Sequence, residues 1–97
     1  MIEYYDPHAD WSVIPQHMRG GIERYVMNGV PMGGFLTAIF ANDFQEAAGR
    51  ADDENRQAFF GYAQFLYNSV PSNCKGSYET VGAWIAQGGL VGRQVTA

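Results

Sequence analysis

The sequence has one cysteine, Cys74, so no disulfide can form within the chain. A small domain without bridges holds together by core packing or by association with copies of itself. A reducing, intracellular compartment is the natural expectation. Charge is scarce as well. Asp, Glu, Lys and Arg make up 16% of the 97 residues, against roughly 25% in an average soluble domain. Cations are the rarer sign, 6 against 10 acids, for a net charge of −4. A general nucleic-acid binder needs a basic surface, so no direct nucleic-acid contact is expected. Long hydrophobic runs are missing too. The longest apolar stretch, Phe35 to Ala41, is far short of the ~20 residues that cross a membrane as a helix. Met1 to Asp6 lacks the basic-then-apolar order of a secretory signal. A soluble, cytoplasmic protein with no membrane partner is expected.

Site chemistry is equally sparse. A metal site needs His, Cys or carboxylates at converging positions. His8 and His17 lie far apart in sequence, and Cys74 has no companion thiol. No metal and no cofactor is expected. Cys74 is the one formal nucleophile, in an exposed-looking loop beside Lys75, whose charge would lower a thiol pKa. No recognised motif surrounds it, and the reading is that the protein is not an enzyme. Gly33-Gly34 opens a helix, but neither a preceding strand nor further glycines make it a phosphate loop.

What is present in quantity is aromatic. Six Phe, six Tyr and two Trp give 14%. Two readings stand: rings half-buried at the core rim, or a surface patch for a partner or a second copy.

The pattern predicts one all-α domain over 1–97: a compact bundle of four helices behind an irregular packing arm, residues 1–14. Tyr4, Tyr5, Trp11, Val13 and Ile14 are the arm's apolar handles. The first helix is expected over 15–28, where proline suits the first helical position. Met18, Ile22, Tyr25 and Val26 recur at helical spacing, and Gly29 suits the position just past the end. The second is expected over 31–49. Its buried stripe is Leu36, Ile39, Phe40, Ala47 and Phe44, and its short connection makes an antiparallel hairpin with the first. The third is expected over 53–69, capped by Asp52, with Phe59, Ala63, Leu66 and Val70 facing in. Phe60 and Tyr67 lie beside that set. The fourth is expected over 78–87, capped by Ser77 and stopped by Gly88-Gly89. Residues 91–97 are expected to fray.

Asp43 falls on the apolar stripe of the second helix, four residues after Ile39. A charge there must be paired or hydrogen-bonded. It is expected to be buried and structural, with Asn68 and Ser77 as groups that would converge on it if a pocket opened there.

Several segments together are similar to those of a widespread small helical protein of tailed phages and prophages. They are Ile14-Pro15 through Arg24-Tyr25-Val26, Gly29 to Phe35-Leu36, Asn42-Asp43, Arg50-Ala51-Asp52 with Asn55, Tyr67-Asn68, Pro71, Gly76-Ser77 and Trp84. The resemblance spans about residues 14–90. The chain departs from it at Lys75, where an aromatic is expected. It brings no activity and no catalytic residue to transfer. What it implies is context: a phage gene expressed in the bacterial cytoplasm, where small acidic phage proteins often act against host defences. Three roles fit that context. One is a non-enzymatic sponge, a homo-oligomer that sequesters a nucleotide-derived immune signal. The second is a protein-blocking inhibitor of a host defence complex, of the anti-CRISPR type, presenting the carboxylates Asp52, Asp53 and Glu54. The third is a replication or morphogenesis accessory. The aromatic excess and modest charge favour the sponge. Its expected ligand contacts are Arg24, Tyr25, Asn42, Tyr67, Asn68 and Lys75, at helix ends or beside short loops. There, rings would stack and a cation would meet phosphate.

Overall fold

A computed structural model describes residues 9–96 and is helical throughout, with no strand among those residues. Tyr4 and Tyr5 of the arm, with His8, lie outside the described residues. Seven α-helices follow in order: α1 Gln16–Asn28, α2 Gly34–Phe40, α3 Phe44–Arg50, α4 Asp53–Gln57, α5 Phe59–Ser69, α6 Tyr78–Gln87 and α7 Gly89–Thr96. Two 3-10 turns, Trp11–Val13 and Ser72–Cys74, lie before α1 and α6. The all-α expectation holds, and the described residues form seven α-helices where four were expected.

Two expected helices break in the middle, each for a local reason. The span 31–49 divides at 41–43. Asn42 sits in the left-handed region at φ 63°, a conformation that asparagine tolerates better than most side chains. The Asp43 amide donates back to the Ala38 carbonyl at 2.8 Å, and the Asn42 amide to Ile39 at 3.1 Å. That pair of bonds closes the end of α2. Asp43 then caps α3, accepting from the Glu46 amide at 3.3 Å. Asp43 is therefore half-buried at a corner, not on a continuous apolar stripe.

The span 53–69 divides at Ala58, whose amide bonds three residues back, to Asn55. Asn55 is buried, and its side-chain oxygen accepts from the Tyr62 hydroxyl at 2.6 Å. Asp52 caps α4 through the Asn55 amide at 2.8 Å. Ser77 caps α6 through the Thr80 amide at 3.0 Å.

At the tail, backbone helix continues through Thr96. Gly88, at φ 83°, ends α6, and α7 turns back along α1. The turn fits because two glycine backbones abut. A Cβ on Gly89 would lie 2.6 Å from the Gly29 nitrogen and from the Met27 carbonyl oxygen. The main neighbour of α1 is thus α7, while α2 packs on α3 and α6. An α1–α2 hairpin does not organise the fold.

The core gathers Ile14, Ile22, Tyr25, Val26, Phe40, Tyr62, Phe65, Cys74 and Trp84, all essentially fully buried. The arm contributes at its described end. Trp11 stacks tilted on Phe65 at 4.8 Å, and Val13 closes on Gly61, where a Cβ would come 2.6 Å from the Val13 carbonyl oxygen. Beside that contact the buried face of α5 is offset from the expected one, with Phe59, Leu66 and Val70 only half-buried against the core. The buried residues of α5 are Tyr62, Phe65 and Ser69, so Ala63, expected inside, is exposed.

Candidate functional site, an aromatic groove

The break between α2 and α3, the offset face of α5 and the Ser72–Cys74 turn together leave an open groove of about 700 Å³. This lies within the range of cavities that hold drug-sized ligands. One wall carries Ala38, Ile39, Asn42, Asp43, Phe44 and Ala47. The facing wall is α5, with Phe59, Phe60, Ala63, Leu66 and Tyr67, and the end is Ser72, Lys75 and Gly76. Phe40 and Tyr62 join the lining from the core.

Rings dominate it. Phe44 meets Phe59 edge-on at 5.8 Å, Phe59 reaches Phe35 at 6.0 Å, and Phe35 meets Tyr62 at 5.3 Å. The rim rings are uncovered: Phe44 is 71% exposed, Phe60 75% and Tyr67 84%. Burying such rings is worth about 2 kcal/mol each, so their exposure on a small folded domain marks a contact surface.

The polar groups divide into committed and uncommitted ones. Asp43 is committed: besides the Glu46 amide it accepts from the Tyr78 hydroxyl at 2.6 Å. That hydrogen bond raises the Tyr78 phenol above its ordinary pKa, with desolvation and the Asp43 charge adding to it. Glu46 is taken up by Arg50, whose guanidinium it holds in the charged form. The carboxamide of Asn42, the hydroxyl of Tyr67 and the ammonium of Lys75 make no hydrogen bond or ion pair within the described residues. These are the groups the groove offers to a ligand.

Of the six expected ligand residues, Asn42, Tyr67 and Lys75 line the groove. The other three do not. Arg24 is exposed on α1, its guanidinium beside Gly20. Asn68 is exposed at the end of α5 but outside the lining. Tyr25 is fully buried: its hydroxyl donates to the Cys74 carbonyl at 2.7 Å, and its own carbonyl accepts from the Trp84 indole at 3.0 Å. Burial pushes its phenol well above the ordinary range. It serves the groove from behind, by holding the 72–74 turn that carries Lys75. The Gly76 amide pins the other side of that turn to the Phe40 carbonyl at 2.7 Å. Asn68 and Ser77 do not converge on Asp43; Tyr78 takes that place.

Cys74 lies in the core and not in an exposed loop. Burial pushes its thiol up to about 12, with the Lys75 charge opposing it. Away from the groove, His17 lies between two carboxylates, with Nε2 3.1 Å from Asp52 and Nδ1 3.3 Å from Glu54. Asp53 pairs with Arg56 at 2.7 Å. The acidic run is thus partly engaged in joining α1 to α4. Among the described residues no group of three His, Cys, Asp or Glu is placed to hold a metal ion. No described helix is long and apolar enough to cross a membrane.

Phe44, expected on a buried stripe, is exposed instead, and it lines the groove together with Phe60, neither of them expected as a site residue. A signal for the α5 wall was present: no charged residue occurs between Arg56 and Lys75. Comparison with family models, curated proteins and solved structures gives no significant match.

Proposed function

We propose that this is a non-enzymatic binding protein that sequesters a nucleotide-derived signalling molecule in the aromatic groove. One observation carries the reading. The groove sets the stacking faces of Phe44, Phe60 and Tyr67 beside the uncommitted groups of Asn42 and Lys75. Planar bases stack on aromatic rings for about 1–3 kcal/mol each, a carboxamide reads a base edge, and an ammonium holds a phosphate as a point charge. The carboxylate in the groove, Asp43, is tied to Glu46 and Tyr78. It is thereby held as a structural acceptor and is badly placed to serve as a general base. Ligand therefore leaves unchanged.

The phage resemblance supplies the setting: counter-defence inside a bacterial cytoplasm, by a protein that works as a homo-oligomer. The test is to incubate the protein with cyclic dinucleotides, cyclic oligonucleotides and cyclic ADP-ribose isomers, then denature it and analyse the supernatant. The expected result is depletion of one ligand and its intact return on heating. Return of a cleaved ligand refutes the non-enzymatic part. No depletion across the panel refutes the nucleotide reading and turns attention to a protein partner.

A further inference from the structure

We infer that the exposed edge of α5 pairs with the α5 of a second copy of this chain, antiparallel about a two-fold axis between Ala63 and Gln64. Phe60, Ala63 and Tyr67 stand at i, i+3 and i+7. At 3.6 residues per turn Phe60 and Tyr67 fall within about 20° of each other and Ala63 within about 60° of Phe60. This is the spacing of a helix–helix seam. The seam faces out: Phe60 is 75% exposed, Tyr67 84%, and Ala63 and Gln64 are exposed beside them. A helix that keeps large rings at seam positions on its open side has an unsatisfied face.

Two further observations select a second copy as the occupant. The first is charge. From Gln57 to Cys74 the chain has no Asp, Glu, Lys or Arg. An exposed helix normally carries charges, and interface cores are depleted of them. A partner of opposite charge has nothing to recognise here. A second copy, despite a net charge of −4 on each chain, meets no like charge on this helix. The second is self-complementarity. The midpoint of Phe60 and Tyr67 falls between Ala63 and Gln64. An antiparallel copy therefore sets each Phe60 against the other's Tyr67 and each small Ala63 against the other's Gln64 at the crossing, where helices approach closest. That is the isologous pattern of a two-fold dimer.

The dimer also bears on ligand capture, a consequence that rests on the groove reading. Phe60 and Tyr67 form the outer rim of the groove, so the partner's α5 closes that rim. The two grooves then flank one axis, each with its Lys75.

The test is sedimentation equilibrium of the full chain at micromolar concentrations, with three variants. Gln64→Arg puts a charge at the axis without touching the groove lining, and Phe60→Glu puts one on the seam. Each is expected to weaken the dimer by about tenfold or more while circular dichroism stays unchanged. Gln64→Cys is expected to form an intermolecular disulfide under mild oxidation. Gln45→Cys, exposed on α3, is not. A parent chain that stays monomeric overturns the inference. So does a dimer indifferent to both charge variants, or a Gln64→Cys protein that forms no disulfide dimer. Binding stoichiometry separates the two proposals. A monomer that captures nucleotide one-to-one sinks the pairing and leaves the groove reading intact. A dimer that captures none does the reverse.

Discussion

The Tyr25 hydroxyl, buried at the centre of the bundle, donates to the carbonyl of Cys74 at 2.7 Å, across 49 residues of sequence. The bond joins the last turn of α1 to the turn that presents Lys75 to the groove. It ties the packing of the core to the position of the groove's cation.

Tyr25→Phe keeps the ring and removes the donor. A buried carbonyl left without its partner costs about 1–3 kcal/mol, so the melting temperature is expected to fall by several degrees. Hydrogen exchange at residues 72–76 is expected to rise more than exchange along α6. Uniform loosening of the whole chain would show that the bond does not specifically hold the turn.

Asp43→Ala removes the cap of α3 and the acceptor of Tyr78. Loss of a helix cap costs about 1 kcal/mol. Asp43→Asn, which still caps and still accepts from a phenol, is expected to recover most of it. Thermal melts of the two variants that coincide with the parent would count against the corner as described.

Asp52 has its carboxyl lowered, first by the Asn55 amide and then by His17 and Arg56, with desolvation opposing. A group whose pKa is depressed on folding stabilises the fold above its unfolded value and loses that contribution as pH falls through the folded one. The stability of the parent is therefore expected to drop on acidification below about pH 4, the ordinary carboxyl range. Asp52→Asn is expected to flatten that part of the pH profile. An unchanged acid limb in the variant would mean that other carboxylates set it.

Cys74 is expected to resist alkylation at pH 8, because burial holds its thiol at about 12 and bars reagent from the sulfur. Iodoacetamide labelling followed by intact mass is the measurement, with a denatured sample as the positive control. Stoichiometric labelling of the native protein would place the sulfur at the surface.

Tyr67→Ala and Lys75→Ala are expected to weaken capture of the bound nucleotide by roughly tenfold each, the effect of one stacked ring or one charged contact. Asn68→Ala, beside the groove and outside its lining, is expected to bind like the parent. The exposed Tyr67 contributes little to the monomer fold, so the Tyr67→Ala melt should stay within about 0.5 kcal/mol of the parent's. Titration calorimetry with the captured ligand reads the series. Equal losses at all three positions would place the ligand elsewhere.

Local chemistry was legible in the residues themselves. Asp52 and Ser77 cap where a short polar side chain precedes a helix, and α1 and α6 end at glycine, because each bond involved joins residues only three to five apart. The corner at 41–43 was harder. Asn42-Asp43 carries a turn signal, but it sits in an otherwise unbroken helical pattern, and the cap competes with one further turn of helix for a small difference in free energy. Half of the expected ligand set reached the groove, since positions beside loops could be picked out while the direction of each side chain could not.

The sequence by itself determined an all-helical chain with one thiol, little charge and a surplus of rings, because propensity, capping and composition act over a few neighbours. Only the tertiary structure decided which rings are covered. Around α5 apolar residues cover more than half of the circumference, interrupted by Gly61, Gln64 and Asn68, so periodicity could not narrow the buried face to one stripe. Val13 on Gly61 and Trp11 on Phe65 chose it, from about fifty residues away in sequence. The same holds at the tail, where the contact of Gly89 with Gly29 lays α7 along α1. Tyr25 went inside because Cys74 and Trp84 supplied partners for its hydroxyl and its carbonyl. Phe44, Phe60 and Tyr67 stayed outside because the core was complete without them, and that remainder is the groove.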